Sequence, residues 1–305
     1  MNNNALNQLV DKAEAPDSPL SPYDVKYENH HQGTSGFYRK GTLCEQTRVI
    51  LSAPHGGTAY PDDISDYADI SLLRSLEDIG TADIAADLAG PGQPALVATY
   101  PRSLLDLNRP ADALDPLLIE DADAPKLPRW QRYIQAGYGV IPRLGIDQKP
   151  LYHRLPDKAA LLARLNFVYH PYHAALSDMI AEVRAYGHAP FLLDIHSMPP
   201  SRAGQPILPD LLFGDLHQVT TEPVIRQEIE AALRGCGYSW GWNQPYAGGY
   251  ITQHYGTGPQ AAQCLQLEVN RRLFWHPKSG LDRAALTAIT SLIQKLIDRV
   301  NVILS

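Results

Sequence analysis

The chain has 305 residues, 44% of them hydrophobic, enough to fill a substantial core. A formal net charge of −7 and the lack of any clustered basic run argue against nucleic acid or anionic membrane as the main partner and leave a small-molecule or peptide substrate. No apolar run approaches the roughly 20 residues that span a bilayer. The opening MNNNALNQLVDK lacks the basic-then-apolar pattern of a secretory signal, so a soluble, cytoplasmic protein is predicted.

Residues 1–22, rich in Asn, Asp, Ser and Pro, are expected to form a disordered tail, and 23–305 one α/β domain. Residues 23–38 carry aromatics among polar residues and fit an edge strand or a loop, with His30 and His31 on the surface. A Val/Ile/Leu-rich run then ends abruptly in Pro54-His55-Gly56-Gly57, the pattern of a buried strand delivering one histidine to its carboxyl end. Without side chains, Gly56 and Gly57 would let backbone approach a metal or substrate closely.

Over 70–88, Leu72, Leu73, Leu76, Ile79, Ile84 and Leu88 recur at helical spacing. Gly80 interrupts the run and Glu77-Asp78 its apolar face, which predicts two helical pieces with Asp78 at or near their junction. A strand over 95–100 closes on Pro101-Arg102 and leads into Leu105-Asp106-Leu107-Asn108-Arg109-Pro110. Residues 111–156 hold many Pro, Asp and Gly without periodicity, as in a long insertion near the mouth of a site. Asp157 is a natural N-cap for a long amphipathic helix that Pro171 should kink and Gly187 should end.

A second apolar run, 191–195, delivers His196 as the first delivers His55. Residues 211–213 form a short strand, and Thr221 is expected to cap a helix that stops at Gly235. Gly248-Gly249-Tyr250-Ile251-Thr252 is a glycine-hinged segment, 263–269 is a strand with Glu268 near its end, and the last helix runs from about 282 to 303. Cys44, Cys236 and Cys264 are odd in number and outside any C-x-x-C spacing, and are read as reduced core thiols. Strands alternating with helices, without hairpin signals, predict a mainly parallel sheet covered on both faces. Ligands bind beyond the carboxyl ends of such strands, where His55, Arg102, His196 and Glu268 all fall.

Catalytic zinc takes three His or carboxylate ligands and keeps a fourth position for water. His55 and His196 offer two, and Asp78 is the candidate third. Glu77 is its rival, because neighbours on a helix point about 100° apart. Asp194, two residues before His196 on the same strand face, is either an orienter of that histidine or a satisfied buried carboxylate. Glu268 suits a general base; the bland alternative is a salt bridge to Arg271 or Arg272. Arg102 and Arg109 offer forked donors for a substrate carboxylate, unless they pair with Asp106 or Asp112. Asn108 is a loop anchor. His170-Pro171-Tyr172-His173 is a rival H-x-x-H zinc pair that lacks the glutamate of metalloproteases, and His173 is the better candidate as a support behind the metal ligands or a substrate contact. No G-x-S-x-G, P-loop or dinucleotide fingerprint is present.

PHGGTAYP at 54–61, the Asp78 segment, YPRSLLDLNRP at 100–110, HPYH at 170–173, LLDIHSM at 192–198, GGYITQHYG at 248–256 and QLEV at 266–269 occur in that order. In this combination the chain resembles the N-formylglutamate amidohydrolase family. The resemblance implies a phosphorylase/hydrolase-like α/β fold related to zinc carboxypeptidases, with one Zn2+ per chain held by His55, Asp78 and His196. It implies that zinc polarises the amide carbonyl and that Glu268 deprotonates the zinc water and then protonates the departing amine. Asn108 and Arg109 become contacts to substrate carboxylates, with Arg102, His173 and Tyr250 as further substrate contacts. N-formyl-L-glutamate, giving formate and glutamate, is the default substrate. The family often carries Arg after GGYIT; here Gln253 removes a positive charge where an acidic substrate would dock. A zinc carboxypeptidase or amidase acting on a peptide or cell-wall fragment is the alternative enzyme, and a catalytically silent binding protein the alternative of another class.

Overall fold

The structure, a computed structural model, describes residues 36–119, 131–201 and 206–305. The tail expected over 1–22, and His30 and His31, lie outside these residues.

A seven-stranded mixed sheet forms the centre. Its strands are β1 (Phe37–Lys40), β2 (Val49–Ala53), β3 (Ala95–Ala98), β4 (Phe191–Met198), β5 (Leu211–Gly214), β6 (Trp240–Trp242) and β7 (Gln263–Asn270), in the spatial order β1-β3-β2-β4-β7-β5-β6. β3, β2, β4 and β7 run parallel, while β1 pairs with β3 and β5 with β7 in antiparallel fashion. β1, an edge strand, takes in Phe37 and Tyr38 of the stretch read as an edge strand or a loop; residues 23–35 of that stretch lie outside the described residues. The sheet is mixed and mostly parallel, as expected; β5 joins it antiparallel to β7, and β6, whose three residues are too few to show a period, pairs parallel with β5. A small hairpin of β8 (Trp275–His276) and β9 (Gly280–Leu281) stands apart from the sheet.

Away from their carboxyl ends the central strands are apolar on both faces, as strands sandwiched between helix layers must be. Ile50, Leu192 and Cys264 face one cluster; Leu51, Phe191, Leu193, Leu265 and Leu267 face the other. The helices are α1 (Ile70–Arg74), α2 (Thr81–Leu88), α3 (Pro116–Ile119), α4 (Gln131–Gln135), α5 (Lys158–Arg164), α6 (His170–Ala185), α7 (Pro223–Leu233), α8 (Tyr250–Gly256) and α9 (Arg283–Leu304). α6 and α8 cover the first face, with Tyr172, Leu176, Met179 and Ile251 buried. α2, α7 and α9 cover the second, where α9 contributes Leu286, Ile289, Ile293, Leu296, Ile297 and Val300. Each such side chain is worth about 1.5–3 kcal/mol on burial, which identifies these stripes as the main source of cohesion.

Local sequence explains most boundaries. α1 and α2 are separate, with Asp78 in the connection, because Gly80 adopts φ +83° just before α2. The Asp157 and Asp282 side chains cap α5 and α9 by accepting from Ala159 N and Ala285 N. Thr221 does not cap α7. Its hydroxyl donates to the Cys264 carbonyl, and Glu222 takes the cap position ahead of Pro223. The disruption expected at Pro171 takes the form of a π-helical turn over Leu165–Tyr169, placing the proline in the first turn of α6, where its missing N–H breaks no bond of that helix. All three cysteines are free, but only Cys264 lies in the core; Cys44 and Cys236 are half-buried. Among the described residues no helix is long and apolar enough to cross a membrane.

Candidate active site

On β4 and β7 alternate residues face α6 and α8, so Asp194, His196, Gln266 and Glu268 share one face of the sheet. The register sets Asp194 beside Gln266 and His196 beside Glu268. β2 ends one strand away, and His55 in the turn after it brings its ring to 4.7 Å from that of His196. Asp78 descends from the break between α1 and α2. His55, Asp78 and His196 thereby become a buried triad whose potential ligand atoms all lie within 4.8 Å of one another.

The hydrogen bonds assign each nitrogen a task. His55 Nε2 lies 2.7 Å from Asp106 Oδ1, and His196 Nε2 lies 2.9 Å from Asp194 Oδ2. In the tautomer in which each Nε2 donates to its carboxylate, each Nδ1 is left as a lone pair. Both Nδ1 atoms point at the same oxygen, Asp78 Oδ2, at 3.2 Å from His55 and 3.0 Å from His196. Two nitrogen lone pairs and a carboxylate oxygen converging in a buried space repel one another unless a cation or extra protons sit between them. Two histidines and one carboxylate, each imidazole braced from behind by a second carboxylate, are the donor set of a catalytic zinc site. The residues fit the metal.

Asp78, not Glu77, turns inward. Glu77 accepts from the Tyr60 hydroxyl at 2.7 Å and lies 4.0 Å from Arg74. Asp106, passed over above except as a partner for arginine, is wholly buried and holds His55 with one oxygen and Arg102 with the other, 2.7 Å from Nη2. A carboxylate between Leu105 and Leu107 was its only mark in the sequence. Arg102 also lies 3.6 Å from Asp78 Oδ1 and so is held by two carboxylates of the cluster. Burial alone would raise the Asp78 carboxyl, but the imidazoles and Arg102 outweigh it and hold the group well below the ordinary range. Asp106 is held down likewise against its burial, chiefly by Arg102. His196 is pushed up, because Asp194, Asp78 and Glu268 overcome a desolvation that favours the neutral ring.

Glu268 is 9% exposed and has no ion pair with Arg271 or Arg272; Arg272 pairs instead with Asp210 at 2.6 Å. Burial pushes its carboxyl up to about 7, with Asp78 adding to the rise and His196 opposing it. A group that exchanges its proton near neutrality can act as both base and acid.

Other expected contacts are committed to the protein. The Asn108 side chain accepts from Ile251 N at 2.7 Å, and its Nδ2 lies 3.1 Å from His196 Nε2 and 3.4 Å from Asp194 Oδ2, anchoring the first turn of α8 to the strand that carries His196. His173 offers substrate neither ring nitrogen: Nε2 donates to the Leu107 carbonyl at 3.0 Å and Nδ1 accepts from the Tyr255 hydroxyl at 2.9 Å. Burial drives its pKa down to about 3, so it is a neutral strut. Tyr250 is half-buried, with its hydroxyl 3.2 Å from His254 Nδ1. Arg109 bonds only carbonyls, of Tyr138 and Asn108, and stacks on Tyr133. It forms no direct ion pair among the described residues, although the Asp106 carboxylate, held by His55 and Arg102, lies close enough to favour its charge. A cavity of about 370 Å3 opens beside His55 and Asp78, lined also by Gly57, Thr58, Glu77 and Leu281 and by no lysine or arginine.

Comparison with known proteins bears on the same stretch of chain. The sequence model of the N-formylglutamate amidohydrolase family matches residues 47–275. The N-formylglutamate deformylase of Pseudomonas aeruginosa is 28% identical over 268 residues, covering 82% of this chain and 92% of its own. That of Pseudomonas putida is 29% identical over 234 residues, covering 72% of this chain and 79% of its own. Among solved structures, the N-formylglutamate amidohydrolase from Ralstonia eutropha JMP134 superposes with a TM-score of 0.77 at 27% identity, covering 89% of this chain and 99% of that one.

Proposed function

The chain belongs to the N-formylglutamate amidohydrolase family, and on that premise we propose that it is a zinc-dependent amidohydrolase of N-acyl amino acids, with N-formyl-L-glutamate as its default substrate. The observation that carries the reading is the convergence of His55 Nδ1, His196 Nδ1 and Asp78 Oδ2, with the Glu268 carboxyl on the next strand. Zinc held by these three residues would supply Lewis-acid polarisation of the amide carbonyl and acidify a water.

The chain's own residues supply the rest. Asp106 and Asp194 keep both imidazoles in the tautomer that turns Nδ1 inward. Glu268 takes a proton from the attacking water and returns it to the departing amine nitrogen, so that amide and water become carboxylic acid and amine with no net proton consumed by the enzyme. Its burial supports both halves of that exchange, since a carboxyl near 7 is neither too weak a base nor too weak an acid. Arg102 keeps Asp106 and Asp78 ionised. Arg109, a cation bonded only to carbonyls, suits the substrate carboxylate. The cavity beside His55 has an acidic lining, so the carboxylate belongs on the Arg109 side and the cavity would take the small acyl group.

Formate release by zinc-loaded protein from N-formyl-L-glutamate, other N-acyl amino acids and short peptides tests this. Hydrolysis of acidic formyl amino acids ahead of the rest is expected. Peptide cleavage with silence on every acyl amino acid would replace the proposal by the amidase reading.

A further inference from the structure

Gln266 lies two residues before Glu268 on β7 and is 4% exposed. Its Nε2 donates to Glu268 Oε1 at 3.0 Å, and its Oε1 is buried without a hydrogen-bond partner. A buried, unpaired amide oxygen costs about 1–3 kcal/mol, a penalty that leucine or methionine would avoid at this position. Packing therefore gives no reason for glutamine here. The bond to Glu268 does: among the described residues Gln266 is the only side chain that hydrogen-bonds this carboxyl.

The neighbouring strand repeats the device. Asp194 holds His196 two residues further along β4, in register with Gln266 and Glu268 respectively. Glutamate has three side-chain torsions, and a carboxylate held by no donor would sample several of them. We propose that Gln266 is a positioning residue for the general base: its Nε2–H fixes one oxygen of Glu268 so that the other faces the attacking water. The assignment rests on reading Glu268 as that base.

The test combines Gln266→Met, alone and with Glu268→Gln, with kinetics on whichever substrate the zinc-loaded wild type turns over fastest. Gln266→Met should lower kcat by about 10- to 100-fold, as misplacement of a reacting group does, with KM within about twofold and zinc content unchanged. Added to Glu268→Gln it should cost nothing further, because a residue acting through Glu268 has nothing left to position. An unchanged kcat, or an equal loss in both backgrounds, overturns the proposal. Crystal structures give a second readout that needs no substrate: Glu268 should occupy one rotamer in the wild type and more than one, or another, in the variant. If the wild type hydrolyses nothing, the functional reading has failed, and a Glu268 side chain unmoved by Gln266→Met would then sink the positioning role separately. Should the methionine variant not fold, Gln266→Asn, which keeps an amide one methylene too short, is read in the same way.

Discussion

Two histidines that each give Nε2 to a carboxylate have one nitrogen apiece left to use, and here both remaining nitrogens meet at one oxygen of Asp78. Asp106 is therefore as much a part of the site as Asp194. Asp106→Asn, which keeps the shape but no longer enforces the His55 tautomer, should weaken zinc binding by about 10- to 100-fold in competition with a chromophoric chelator; unchanged affinity would remove Asp106 from that task. In the same assay Asp78→Asn should lose affinity and Glu77→Gln should not, since Glu77 is bound to Tyr60. Asp78, His55 and His196 were legible because polar residues interrupt apolar runs where strands and helices break. Asp106 was not, because its importance depends on how far the His55 ring reaches, which no spacing reveals.

His173 makes a separate prediction at this scale. Its pKa in the folded protein, about 3, lies below the ordinary 6.5, so the unfolded chain binds the proton first as the pH falls. Its contribution is fully present above 6.5 and is lost progressively between 6.5 and 3, by at most ~1.4 kcal/mol per pH unit. Urea unfolding at pH 7 and pH 5 should show a smaller acid loss for His173→Gln than for the wild type. Equal losses would mean that this ring is not kept neutral by the fold.

At the level of elements, β2 and the start of β4 carried their signal in continuous apolar runs, β7 in the alternation of Leu265, Leu267 and Val269 with polar residues, and the break between α1 and α2 in Gly80. The direction of β5 carried none: Leu211-Leu212-Phe213 reads the same parallel or antiparallel, and only its pairing with β7 decides. Thr221 shows a different limit, since a hydroxyl suited to a cap was drawn instead to the Cys264 carbonyl on the neighbouring strand. The glycines after His55 also change meaning. A Cβ on Gly57 would sit 2.3 Å from the backbone of Tyr100, and one on Gly56 would sit 3.0 Å from Ala82, so what approaches closely is the exit of β3 and the first turn of α2. Backbone cannot move aside as a flexible side chain can. Gly57→Ala should therefore cost about 1–3 kcal/mol in urea unfolding, the usual penalty of overpacking; a loss below about 0.5 kcal/mol, typical of a harmless surface change, would show that the turn yields.

For the molecule as a whole, a net charge of −7 is a poor attractant for an acidic substrate, so recognition must be local. Gln253 is exposed on α8 and brings no charge there, so the substrate carboxylate is proposed to fall to Arg109, whose hydrogen bonds go to carbonyls. Arg109→Met should raise KM for an acidic acyl amino acid by about 10- to 100-fold, the worth of one charged hydrogen bond, and change KM for a neutral analogue far less. Equal effects on both would assign Arg109 to holding the loop.

The ends of β2 and β4, with the break between α1 and α2, are proposed to build one zinc site. Anomalous diffraction at the zinc edge from zinc-loaded crystals tests it most directly. One ion per chain is expected, about 2.0–2.1 Å from His55 Nδ1 and His196 Nδ1 and about 2.0–2.2 Å from an Asp78 oxygen. An ion bound through the Nε2 atoms, an ion at other residues, or no ion at saturating zinc would contradict it.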